Sequence, residues 1–130
     1  NFMDGVREIT GGKGASAVYD SVGKATFEGS LRSLRPRGVL ASYGEASGDP
    51  DPVPPRLLGP LGSIYITHPS LPDYTATRAD LVDVATDLFA MVESGKIRIE
   101  INHAYPLSEA AQAHRDLEGR KTTGSVVLIP

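Results

Sequence analysis

The sequence predicts an α/β protein whose first half carries a parallel sheet. Two observations point there: strand-like and helix-like segments alternate along the 130 residues, and the first strands are apolar on successive residues instead of every second one. The elements follow in order. Phe2, Val6 and Ile9 recur at helical spacing, and Gly11-Gly12 ends that helix. Ala15 to Asp20 is a short strand that stops at Asp20-Ser21-Val22-Gly23. Phe27, Leu31 and Leu34 form one stripe of a helix over Lys24 to Leu34, broken by Pro36-Arg37-Gly38. Val39 to Tyr43 is a second apolar strand ending at Gly44.

Glu45 to Pro60 is rich in proline and reads as loop, with one helical turn at Arg56-Leu57-Leu58. Ser63 to Thr67 is a third strand, closed by Pro69. Thr77 and Asp80 have the spacing of a capping box for a long helix, whose apolar face is Leu81, Val84, Leu88, Phe89 and Val92 and whose stop is Gly95. Ile97 to Ile101 alternates strictly and predicts a half-exposed strand; Ser108 is expected to cap a helix over Glu109 to Glu118; Ser125 to Ile129 is the closing strand.

Composition narrows the function classes. Hydrophobic residues are 40% and charged residues 22%, ordinary for a globular domain. A net charge of −3 without basic clusters argues against a nucleic-acid partner, and no apolar run is long enough to span a membrane. With no cysteine, disulfides, thiol chemistry and a thiolate zinc site within these residues are excluded. His68, His103 and His114 lack ligand spacing, so no metal is expected. A cytoplasmic location is expected. Asn1-Phe2-Met3-Asp4 runs into a helix without an initiator methionine, and a piece of a larger protein is expected.

Four segments, in order and from one end of the chain to the other, resemble the medium-chain dehydrogenase/reductase superfamily, and within it the zinc-independent, zeta-crystallin-like quinone oxidoreductases. They are Thr10-Gly11-Gly12-Lys13-Gly14 with Val18 to Gly23; Gly38 to Gly44; Gly62 to Leu71; and Tyr105 to His114 with Leu117 to Arg120 and Thr123-Gly124. The resemblance implies the carboxyl-terminal half of a Rossmann parallel sheet (strands four to six) over residues 1–70. The carboxyl-terminal part of a catalytic domain would then follow over 71–130. It implies hydride transfer from NADPH, preferred over NADH, to a quinone or similar conjugated carbonyl. The Gly-rich turn that cradles the pyrophosphate would lie outside these residues, so the chain by itself is expected to be inactive.

By the same resemblance, the loops after the first two strands would pass the nicotinamide and its ribose. Asp20, Ser21, Val22, Gly23, Tyr43, Gly44 and Ser47 are therefore the candidate cofactor residues, joined by Thr123 near the carboxyl terminus. Small residues would let backbone amides reach the carboxamide. No catalytic acid or base is singled out, because the cofactor carries the chemistry and the protein fixes distance and face. Plainer roles stand beside these. Asp20 is equally suited to end a strand and cap the next helix, Tyr43 to fill a core, and the glycines to serve backbone conformation. Ser125 follows Gly124 where many relatives carry lysine, which weakens the assignment of Thr123.

Strand 63–67 resembles the family's last sheet strand, and an edge bearing Ile64, Tyr65 and Ile66 predicts a homodimer paired there. Residues 17–20 are expected to present an unpaired edge. Two other readings stay open: a non-catalytic α/β binding or dimerisation module, and an enoyl or alkenal reductase of the same superfamily.

Overall fold

The computed structural model describes residues 1–130 and divides into two compact units, residues 1–74 and 75–130. The first contains α1 (Phe2–Ile9), β1 (Ala15–Asp20), α2 (Phe27–Arg32), β2 (Leu34–Ser42), a 3-10 turn (Pro55–Leu57), β3 (Tyr65–Thr67) and α3 (Leu71–Tyr74). Its sheet has the order β1-β2-β3 with both pairs parallel, as the sequence predicts. The register aligns Val18 with Leu40 and Leu40 with Ile66. This row faces α2, where Phe27, Leu31, Leu34 and Ile64 close a core around the fully buried Leu40.

The neighbouring row departs from expectation. Consecutive apolar residues predict strands buried on both faces, yet Tyr19 is 75% and Tyr65 61% exposed. Side chains alternate across a strand, and within this unit helix covers only one face. Ile64 likewise belongs to the core, not to the open edge. As expected, β1 has a strand neighbour on one side only.

β2 begins five residues earlier than the sequence predicts. Ala15 pairs with Leu34 and Ala17 already with Val39, so Arg35 to Gly38 bulge out of the ladder. Pro36-Arg37-Gly38 does interrupt the chain, but the bulge is stapled in place. Arg37 adopts φ +59° and its amide donates to the Gly62 carbonyl at 2.8 Å.

Two helical glycines of this unit are opposites. Nothing lies within 4 Å of where a Cβ on Gly5 would sit, whereas one on Gly29 would come 2.5 Å from Cζ of Phe2. Gly5→Ala should therefore stabilise α1 by about 0.5–1 kcal/mol through lower unfolded-state entropy. Gly29→Ala should give no such gain, because the Phe2 ring must move; paired denaturant melts of the two variants check this.

The second unit contains α4 (Arg78–Glu93), β4 (Ile101–Pro106), a 3-10 turn (Leu107–Glu109), α5 (Ala110–Glu118) and β5 (Ser125–Ile129). The capping box is present: the Thr77 side chain accepts from the Asp80 amide at 3.2 Å, and the Asp80 carboxylate accepts from the Thr77 amide at 3.1 Å. The stripe of α4 stays open, with Leu81 43% and Phe89 63% exposed; periodicity tells which face seeks cover but not what supplies it.

Two readings need correction here. The strand expected over Ile97 to Ile101 begins only at Ile101 and runs to Pro106, in parallel register with Ser125–Ile129 of β5. Alternation is a local signal, while a strand forms where a partner ladder exists. Ser108 is not the helix cap either. It lies inside the 3-10 turn, and Glu109 precedes α5 without a side-chain cap bond. Together, β4, α5 and β5 make a parallel strand–helix–strand unit.

Candidate nucleotide-facing loops

β1 and β2 run parallel, with Asp20 opposite Ser42, so the loops that follow them leave the same rim of the sheet. In open α/β sheets, ligands bind beyond the carboxyl ends of strands. The loop after β1 is organised by Asp20. Its side chain is 4% exposed and its carboxylate meets four donors: the Val22 and Gly23 amides at 2.9 and 3.0 Å, and the Thr26 and Ser30 hydroxyls at 2.8 and 2.6 Å. Burial pushes this carboxyl up, but the hydrogen bonds from Ser30, Gly23, Val22 and Thr26 together outweigh it and leave it below the ordinary carboxylate value. The carboxylate is spent on the loop itself.

The loop after β2 locks onto the first. The Tyr43 amide donates to the Asp20 carbonyl at 2.9 Å, the Ser47 amide to Val22 O at 2.8 Å, and the Lys24 amide to Gly48 O at 2.9 Å. Gly23, at φ +83°, would place a Cβ 2.6 Å from Gly48 O, and a Cβ on Gly44 would run into the Ser21 carbonyl. Both glycines are therefore required by contact between the two loops. The expectation that backbone amides here are offered to a ligand needs correction at Val22, Gly23 and Tyr43, whose N–H groups are used internally. Val22 and Tyr43 present side chains instead, 37% and 51% exposed.

Asp20, Ser21, Val22, Gly23, Tyr43, Gly44 and Ser47 are thus brought together in one interlocked pair of loops. Thr123 belongs to the second unit. There its amide donates to Nε2 of His103 and its hydroxyl accepts from Asn102, both at 3.3 Å. The same loop is tied back by Lys121, which reaches Asp116 at 3.3 Å. Asp116 also accepts from Gln112 at 3.0 Å and from the Tyr105 hydroxyl at 3.1 Å. The Gln112 bond is the chief influence holding the Asp116 carboxyl below its usual range, against burial and with help from Lys121 and Tyr105. Burial, then the Asp116 carboxylate, push the Tyr105 phenol up.

Sequence reasoning missed a cavity of about 390 Å³ beyond the carboxyl ends of β2 and β3. Ser42, Thr67 and His68 line it together with Pro50 to Val53 of the proline-rich segment. The one available signal was that Thr67-His68 ends a parallel strand, a position that a local reading gives to strand termination.

A family model described as zinc-binding dehydrogenase matches residues 1–128. The quinone oxidoreductase of Pseudomonas aeruginosa is 50% identical over 130 residues, all of this chain and 40% of that protein. The 2-haloacrylate reductase of a Burkholderia species is 47% identical over 133 residues, again the whole chain and 39% of that protein. The solved structure of Escherichia coli quinone oxidoreductase complexed with NADPH superposes with a TM-score of 0.90 at 42% identity, covering 100% of this chain and 40% of that one. The chain spans about 40% of the length of the relatives it matches, in their carboxyl-terminal part. A zinc site is not built by these residues: there is no cysteine, and no three His, Asp or Glu side chains are grouped to hold a metal ion.

Proposed function

The chain belongs to the zinc-binding dehydrogenase family, and from that premise we propose that it is the nucleotide-facing, carboxyl-terminal part of an NADPH-dependent oxidoreductase acting on a quinone or similar conjugated carbonyl. The carrying observation is the interlocked pair of loops at the carboxyl ends of two adjacent parallel strands, where Gly23 and Gly44 share one rim. On this reading residues 1–70 are the second half of the dinucleotide domain and residues 71–130 return to the catalytic domain.

When bound, the reduced nicotinamide supplies the hydride. The chain's own residues fix where a flat ring can lie. Ser21, Val22, Gly23, Tyr43 and Gly44 form its rim, with the half-exposed Tyr43 ring as an apolar wall. Asp20 acts one step back by holding the Val22 and Gly23 amides. Within the second unit, the Thr123 loop is steadied by His103 and, through Lys121, by Asp116. None of the rim side chains is an acid or base poised for proton transfer. The site positions a flat ring, which is what hydride transfer asks of a protein.

The test is titration and turnover. The complete protein should bind NADPH, seen as a change in nicotinamide fluorescence, and oxidise it with a quinone acceptor. The 130-residue chain alone should bind more weakly by roughly two orders of magnitude or more. Pyrophosphate contacts are charge-assisted hydrogen bonds of about 1.5–3 kcal/mol each, and no Gly-rich strand-to-helix turn exists here to make them. Equal affinity of chain and complete protein would overturn this account. A second reading, reduction of an activated acrylate double bond, is favoured by the 47% identity to a 2-haloacrylate reductase; turnover with a 2-haloacrylate and none with quinones would select it.

Assembly and location complete the proposal. β3 is the open edge of its sheet and carries the exposed Tyr65. Pairing of residues 63–67 with a second copy would cover that edge. Light scattering of the complete protein should give twice the monomer mass, and a monomer at micromolar concentration would exclude the pairing. No helix is long and apolar enough to cross a membrane. A cytoplasmic location is part of the same proposal.

A further inference from the structure

We propose that Ser47 is a positioning residue that holds the nucleotide-facing loops as one preassembled body by bridging Val22 and Ala25 from the neighbouring loop. The inference rests on the NADPH reading above but assigns Ser47 a role other than touching the cofactor. Its hydroxyl is used in both directions, donating to Val22 O at 2.6 Å and accepting from the Ala25 amide at 2.9 Å. Its own amide also donates to Val22 O, at 2.8 Å.

The reason lies at the start of α2. The Thr26 and Phe27 amides, at the cap and the first helical position, both donate to Gly23 O at 2.9 Å, whereas Ala25 lies one residue before the cap and its amide needs an acceptor elsewhere. Thr26 occupies the cap position but makes no side-chain cap bond, because its hydroxyl sits 2.8 and 2.9 Å from the two Asp20 carboxylate oxygens. Asp20 itself serves Val22, Gly23, Thr26 and Ser30. The Ala25 amide is left to the neighbouring loop, and the Ser47 hydroxyl reaches it 22 residues away in sequence. One side chain thereby fixes both ends of the segment Val22 to Ala25, within which Gly23 faces the rim. Without it, the remaining ties are main-chain bonds, and the second loop can slide relative to the first.

Ser47→Ala and Ser47→Thr in the complete protein test this, with NADPH as the probe. Ser47→Ala should raise the Kd and KM for NADPH by roughly tenfold, the scale of one net hydrogen bond. The kcat at saturating NADPH should stay within about twofold, since the reacting atoms are not touched. Ser47→Thr keeps a hydroxyl and should recover most of the affinity. Without cofactor, the Ala25 amide should exchange its hydrogen faster in Ser47→Ala than in the parent, an effect that direct contact with the cofactor would not produce. Unchanged NADPH affinity in Ser47→Ala, a threonine variant as weak as alanine, or unaltered Ala25 exchange would each overturn the positioning role while leaving the NADPH reading intact. A parent protein that does not bind NADPH would remove both.

Discussion

Asp20→Ala is expected to destabilise the protein by about 2–4 kcal/mol, because buried donors left without an acceptor cost about 1–3 kcal/mol each. The loss concentrates at two of its four donors. The Thr26 hydroxyl has a second acceptor in Gly23 O at 3.2 Å, and Ser30 is on a helix where its hydroxyl can turn toward the preceding turn. The Val22 and Gly23 amides are fixed by the backbone and lose their acceptor outright. Asp20→Asn keeps one carbonyl oxygen for those amides and should cost less.

The pH dependence follows from the sign of the shift. The folded carboxyl lies below its ordinary value of 3.8, so folding favours the charged form. Its contribution is complete above about pH 4 and drains as the pH falls through the lower folded value. Urea melts between pH 7 and pH 2.5 should show a steeper acid limb for the parent than for Asp20→Asn. An Asp20→Ala midpoint within about 1 kcal/mol of the parent would mean that the cluster does not hold the loop.

Gly44→Ala is the second large effect, and it is steric. Gly44 is absent from the positive-φ residues, so alanine meets no backbone penalty there. The added Cβ would meet the Ser21 carbonyl and would lie 2.9 Å from the Ser21 Cα. A flexible side chain could turn aside, but main chain cannot. The second loop must lift away, weakening the Tyr43 to Asp20 bond and the Ser47 contacts to Val22. Overpacking of this kind costs about 1–3 kcal/mol. The larger consequence is for the ligand: NADPH affinity of the complete protein should fall by at least about tenfold, because misplacement of a positioning element by an ångström is costly. Gly59→Ala is the control. Nothing lies within 4 Å of its Cβ position, and it should leave NADPH affinity unchanged and cost no stability.

The two experiments read different links of one chain of causes. Asp20 shapes the first loop from within, and Gly44 lets the second loop dock on it. If Asp20→Ala loses stability and Gly44→Ala chiefly loses affinity, then the fold holds one loop and the site needs both.

Much of this was legible in the sequence because it is local. The parallel sheet of the first unit follows from short apolar strands alternating with helix, and the Thr77–Asp80 capping box from spacing alone. The end of β1 at Asp20 and the breaks at Gly11 and Gly95 also come from residue types with fixed conformational preferences. Resemblance added the family, which composition and periodicity do not contain. What stayed illegible depends on partners distant in sequence. Ile97 to Ile101 alternates as well as any strand, yet the ladder forms at Ile101–Pro106 because β5 lies opposite it there.

The sequence by itself determined the class of fold, the places where strands end, and which loops would lie at the sheet's rim. Tertiary structure decided what the residues in those loops do. It turned Asp20 inward to four donors, set Gly44 against Ser21, and gave the Ser47 hydroxyl to Val22 and Ala25. The physical reason is range. Propensity and periodicity act over a few residues, whereas a hydrogen bond or a steric contact is set by whichever group the fold brings within about 3 Å, however far apart the two lie along the chain.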